Sequence, residues 1–171
     1  MLDWPDPCTS REFDAAAQAY ALAPVEVPVK APVVPATVPA GARIWASGLS
    51  RAQITARHIF PDAELHIDPR LNEVDLRSYA DREWPLPLSV WMFRGRLQWV
   101  LHRRRQPEVR RESRARAREV LDDLEAAGLD CVLVGHGFMH SCLMREMRHR
   151  GYAGTYVQRM SNGQILVFDR P

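Results

Sequence analysis

The 171-residue chain has only three cysteines, Cys8, Cys131 and Cys142. They are an odd number with no C-x-x-C spacing, which excludes a disulfide framework and a zinc knuckle as the basis of the fold. Cys131 and Cys142 lie in apolar surroundings and read as small core residues. No run approaches the roughly 18 apolar residues that cross a bilayer, so no membrane role is expected. The first residues, Met1-Leu2-Asp3-Trp4-Pro5-Asp6, lack the basic start and apolar stretch of a secretion signal, and a soluble cytoplasmic protein is the resulting expectation. Charge of one sign is also missing: the formal net charge is +2, which gives no whole-chain field for a polyanion. With 46% hydrophobic residues the chain buries a substantial core. Its length suits one domain over residues 1–171.

Thr9-x-x-Glu12 has the spacing of a capping box, and Phe13, Ala16, Ala17 and Tyr20 follow at helical intervals, so a helix is expected over about 10–21. Pro24, Pro28, Pro32, Pro35 and Pro39 then recur every three or four residues, which removes ladder donors and forbids a helix; an extended surface tether is expected there. Arg43 to Ser47 reads as a buried strand, with Ser50 as cap of a helix to about Phe60, and Glu64 to Ile67 as a second strand. Leu71 to Trp91 is expected to be irregular, followed by a helix over about 92–102. Ala117, Val120, Leu121 and Leu124 form one apolar stripe of a helix over 108–127, ended by Gly128. Cys131 to Gly135 is a continuous apolar run of the kind buried on both faces of a parallel sheet. A helix over about 138–149 and a last strand over 164–168 complete the order. Helix and strand alternate, so the fold class is α/β, a three-layer α/β/α sandwich with a mainly parallel sheet. A smaller helical lobe over about 76–111 is expected to cover the site, packed by Trp84, Trp91, Phe93 and Trp99.

Four short segments carry polar chemistry. Ser47-Gly48-Leu49-Ser50-Arg51-Ala52 runs from a strand end into a helix with arginine in its first turn, which offers an anion backbone amides, a positive helix end and a guanidinium fork. Leu71-Asn72-Glu73 places a carboxylate in a loop, either as a proton donor or as a solvated or helix-capping group. Glu112-Ser113 lies on the arginine-rich helix. Val134-Gly135-His136-Gly137 puts a histidine at the carboxyl end of a strand, where open α/β sheets bind ligands. His140, one turn later, suggests a metal pair, but Gly137 is expected to break the i, i+4 register and leave it structural. His58, His66, His102 and His149 have no partner at metal spacing. The arginines at 103–105, 110, 111, 114, 116 and 118 are interleaved with Glu108, Glu112, Glu119, Asp122 and Asp123, so a solvated, salt-bridged helix face is expected in preference to nucleic-acid binding.

Ser47-x-Leu49-x-Arg51-Ala52 with Thr55-Ala56, Leu71-x-Glu73, Glu112-Ser113 and Val134-x-His136-Gly137, in that order, resemble the motif set of the histidine phosphatase (phosphoglycerate-mutase-like) superfamily. Asp3-Trp4-Pro5-Asp6-Pro7 and Ser10-Arg11-Glu12-Phe13 resemble the stretch after the first motif in one bacterial branch. The resemblance implies phosphate binding by Arg51, Ser47 and Gly137, proton donation by Glu73, stabilisation of the transferring phosphoryl by His136, and no metal or other cofactor. It also implies a nucleophilic histidine in an Arg-His-Gly motif on a first, central strand, and the sequence contains no Arg-His-Gly. Either the natural protein begins further upstream, as an active phosphatase working through phosphohistidine, or the motif is lost and the chain is a pseudoenzyme with a partial site. A small phosphorylated or anionic molecule is the expected ligand in either case. Arg43–Ser47 and Cys131–Gly135 are expected to close over the missing strand, or a partner chain to fill it, which makes a homodimer an expectation too. An interaction protein with a vestigial pocket and an arginine-rich partner-binding helix is the rival reading. Another is an enzyme that uses Glu73 and His136 as an acid–base pair on a carboxylated substrate.

Overall fold

The computed structural model describes residues 4–23, 38–39 and 41–171, so the proline-spaced tether lies almost entirely outside the described residues. The helices are α1 (Ser10–Leu22), α2 (Ser50–Ile59), α3 (Leu88–Val100), α4 (Arg110–Ala127) and α5 (Gly137–His149). The strands are β1 (Arg43–Ser47), β2 (Leu65–Asp68), β3 (Cys131–Val134), β4 (Ala153–Gly154) and β5 (Phe168–Asp169), with a short 3-10 turn at Pro69–Leu71. No helix among the described residues is long and apolar enough to cross a membrane. The chain divides into two compact units, residues 1–23 with 74–113 and residues 24–73 with 114–171.

The second unit carries a parallel sheet in the order β2-β1-β3. Ile44 and Ala46 of β1 are buried against Ala56 of α2, with Val132 and Val134 of β3 packed alongside. Small residues at Ala52 and Ala56, one helical turn apart and both buried, line the sheet-facing side of α2. The register pairs Ala46 with Val134 and Ala46 with Ile67, so the carboxyl ends of all three strands lie level. Thus β1 and β3 pair directly, one of the two arrangements expected for these strands.

Three expectations in this unit need correction. Every residue of β3 is only half-buried, because the strand stands at the edge of the sheet, where one flank of each apolar side chain has no neighbouring strand to lie against. Ser50 is the first residue of α2 and does not cap it; the N-cap is Leu49, which makes no side-chain cap bond. The strand expected at 164–168 shrinks to Phe168–Asp169, paired antiparallel with β4, because pairing with a two-residue strand supports no longer ladder.

The charges of α4 in this unit are spent on other elements. Asp123 pairs with Arg70 at 2.6 Å and Asp122 with Arg150 at 2.8 Å, while Arg118 reaches Glu146 at 3.4 Å. The salt bridges of this helix face thus link it to other segments. The apolar stripe Ala117, Val120, Leu121 and Leu124 is buried as its spacing requires.

The first unit is built on tryptophan. Cys8, Phe13 and Trp91 are fully buried together, with Trp4, Leu76, Tyr79, Leu86 and Leu88 packed on them. Trp91 stacks on Phe13 at 5.9 Å and donates from Nε1 to the Cys8 carbonyl at 2.9 Å. Thr9 and Glu12 form the capping box that starts α1. Trp99 is buried and donates to Ser113 Oγ at 3.0 Å, so Ser113 holds a core indole, and Glu112 accepts from the Val109 amide. Trp84 and Phe93 are exposed, contrary to expectation; Trp84 instead lies under the Arg82 guanidinium at 4.7 Å. The helix expected from 92 starts at Leu88, immediately after Pro87, whose fixed φ suits the residue before a first turn.

Trp91→Ala is expected to cost about 3–5 kcal/mol, since it opens a cavity and removes one of two donors to the Cys8 carbonyl, the Leu86 amide keeping the other. Urea unfolding followed by circular dichroism checks it; a loss below about 1 kcal/mol contradicts the packing described.

Candidate functional site

Two parallel neighbours and one helix start bring the site together. Since Ala46 is in register with Val134, Ser47 and the Gly135-His136 pair leave the sheet side by side, and Arg51 follows in the first turn of α2. Ser47 Oγ lies 2.7 Å from His136 Nε2, and Arg51 Nε donates to His136 Nδ1 at 3.2 Å. The Leu49 amide donates to Ser47 Oγ at 3.2 Å, a local turn that fixes the hydroxyl as the chain leaves β1. Ser47 is fully buried and His136 is 7% exposed.

Donor inventory sets the protonation of this cluster. A guanidinium has no acceptor, so Nδ1 must offer its lone pair, and in a neutral ring Nε2 then carries the hydrogen and donates to Ser47 Oγ. The imidazole is neutral: burial, and after it the Arg51 and His140 charges, push its pKa down from 6.5 to about 3.

His136 is also the N-cap of α5, but with its ring committed to Ser47 and Arg51 it makes no side-chain cap bond. The first amides of a helix have no partner within it. Glu73 supplies the missing acceptors, Oε2 to the Phe138 amide at 3.2 Å and Oε1 to the Met139 amide at 3.0 Å. Of the two sequence readings of Glu73, the helix-capping one describes its geometry. Its segment is braced from below: Asp68 accepts from the Arg70 amide at 2.8 Å, and Arg116 donates to the carbonyls of Arg70 and Asn72 at 2.7 and 3.1 Å. Gly137, the first residue of α5, is exposed and has nothing within 4 Å of where a Cβ would stand.

Two neighbours need separate description. Asn72 Oδ1 is buried without a hydrogen-bond partner, and a Cβ on Gly48 would come within 3.1 Å of it. A side chain in place of Gly48 would therefore press on the Asn72 amide. The second is His140. Gly137 does not break the helical register, for the His140 amide donates to the His136 carbonyl at 2.8 Å. Even so, the His140 ring forms no pair with His136: its Nε2 is buried without a partner beside Gly135, and burial pushes its pKa from 6.5 to about 4. The spacing that raised His140 in the sequence says nothing of the burial of its Nε2. His58, His102 and His149 are exposed, and His66 packs its ring on Trp45 at 5.4 Å.

Residues 36–170 match the sequence profile described as histidine phosphatase superfamily (branch 1). Among solved structures the chain is similar to the native mycobacterial glucosyl-3-phosphoglycerate phosphatase, at 25% identity and a TM-score of 0.46, over 61% of this chain and 57% of that one. It is also similar to a structure titled mycobacterial hydrolase 1, at 21% identity and a TM-score of 0.47, over 74% of this chain and 73% of that one. The chain thus spans a little over half the length of the first of these. No curated protein sequence matches it.

Removing the Glu73 carboxylate leaves two helix amides without acceptors, so Glu73→Ala is expected to cost about 1–3 kcal/mol, with Glu73→Gln losing less. Denaturant midpoints of the three proteins check it; an unchanged midpoint in Glu73→Ala refutes the cap. A second expectation concerns pH. His136 and His140 have folded pKa values below the unfolded one, so the unfolded chain binds more protons between pH 6.5 and about 3 to 4. Their contribution is complete above pH 6.5 and is lost as pH falls through that window, by about 1.4 kcal/mol per pH unit for each histidine. Comparing stability at pH 7 and 5 for the natural chain and His140→Gln isolates one histidine; identical slopes contradict the burial of its ring.

Proposed function

Given that this chain belongs to the histidine phosphatase superfamily, branch 1, we propose that it binds a phosphate-like oxyanion between Arg51 and His136 and, as this 171-residue chain, hydrolyses phosphomonoesters little or not at all. The observation that carries the reading is the 3.2 Å contact of Arg51 Nε with His136 Nδ1 at the level carboxyl ends of β1 and β3. A guanidinium held there by hydrogen bonding to the ring presents a planar set of donors of the kind that suits an oxyanion.

The two helix ends at this edge play different parts. The positive end of α5 is already occupied by the Glu73 carboxylate, which supplies the anion that its amides favour. The α2 end has no side-chain cap, so the fixed charge that favours an external anion is that of α2, with Arg51 in its first turn. In this reading Glu73 shapes the site by holding α5 and does not serve as a proton donor. Gly137 leaves room beside His136. Turnover through a phosphohistidine requires a nucleophile, and the sequence supplies no Arg-His-Gly.

Isothermal titration with inorganic phosphate at pH 7 tests the reading. Arg51→Ala is expected to weaken binding about 10- to 100-fold, the loss of one charge-assisted contact. No phosphate binding by the natural chain, or equal binding by Arg51→Ala, overturns it. Sustained hydrolysis of p-nitrophenyl phosphate that disappears in Arg51→Ala overturns the inactive part alone.

A further inference from the structure

The motif resemblance groups Ser47 with the phosphate-binding residues, yet Ser47 is fully buried, and its hydroxyl meets His136 and the Leu49 amide. A residue in that position acts through its neighbour. The Leu49 N–H takes one lone pair of Oγ, which leaves one lone pair and one proton for His136 Nε2. A hydroxyl is therefore able to face Nε2 as acceptor or as donor. A carbonyl or carboxylate there could only accept, which would keep the hydrogen on Nε2 and a lone pair on Nδ1, repelling any oxyanion. A backbone N–H there could only donate, and Nδ1 would then compete with the Arg51 guanidinium.

The ring needs this freedom because, while neutral, it has only one N–H to place. Arg51 on α2 faces Nδ1, His140 on α5 is the other titratable group beside the ring, and Ser47 on β1 faces Nε2. With Arg51 donating to Nδ1, the ring hydrogen sits on Nε2. An oxyanion that draws the guanidinium to itself removes the donor from Nδ1.

We propose that Ser47 is a positioning residue for the anion site, its hydroxyl exchanging acceptor for donor so that neutral His136 moves its hydrogen to Nδ1 and donates to the bound oxyanion. One proton leaves Nε2, one arrives on Nδ1 through solvent, the ring stays uncharged, and the Ser47 O–H turns to Nε2. This inference rests on the proposed anion site and specifies how its histidine recognises the ligand.

Imidazole ¹⁵N spectra of the natural chain, with the His136 signals assigned from His136→Gln, test it directly. Without ligand the Nε2–H tautomer is expected; with saturating inorganic phosphate at pH 7, the Nδ1–H tautomer. Ser47→Ala is expected to bind phosphate about 10-fold more weakly and to lose the tautomer change, and Ser47→Thr, which restores a hydroxyl, to recover both. A ring that stays Nε2–H under saturating phosphate overturns the proposal even if Ser47→Ala does not fold. Natural affinity in Ser47→Ala overturns it while leaving the Arg51 reading in place. Failure of the natural chain to bind phosphate removes both.

Discussion

The parallel register between β1 and β3 is the constraint on which the rest of the site depends. It fixes Ala46 opposite Val134, so that Ser47 and His136 emerge together and a 2.7 Å hydrogen bond joins residues 89 positions apart in sequence. A register shift of one residue would turn Ser47 to the other face of the sheet and remove the partner of Nε2. The apolar packing of Ile44 and Ala46 on Ala56 resists that shift, so the hydrophobic layer under α2 also holds the polar chemistry at the strand ends.

That bond redistributes the capping roles around it. Because His136 turns its ring to Ser47 and Arg51, it does not cap α5, and the helix takes its acceptors from Glu73. Glu73 is delivered by a segment whose carbonyls are gripped by Arg116 and whose start is tied by Asp68 and Arg70. The charged residues of α4 and the 3-10 turn thus support the geometry of the candidate site from a distance. Burial of neutral His136 and His140 beside it favours a fixed arrangement at neutral pH and weakens it in acid.

The motif order that identified the family is preserved even where the residues take structural parts. Ser113 holds Trp99, Glu112 closes the first turn of its helix, and Glu73 caps another. Shared motifs record ancestry. The part each residue plays in this chain is set by its contacts.

Local patterns determined much of the fold. The capping box at Thr9 and Glu12, the stripe from Ala117 to Leu124, and the strand β1 all sit where periodicity and capping chemistry place them, because each depends on residues within a few positions of one another. The convergence of Ser47, Arg51 and His136 was legible only through motif order. Tertiary structure decided the rest: the half-burial of β3, the shortening of the last strand, the capping role of Glu73, the depth of His140, and the orphaned Asn72 oxygen beside Gly48. Each of these turns on which distant segment lies across a few ångströms, and hydrogen bonding and burial at that range are set by the packed chain, not by the order of its residues.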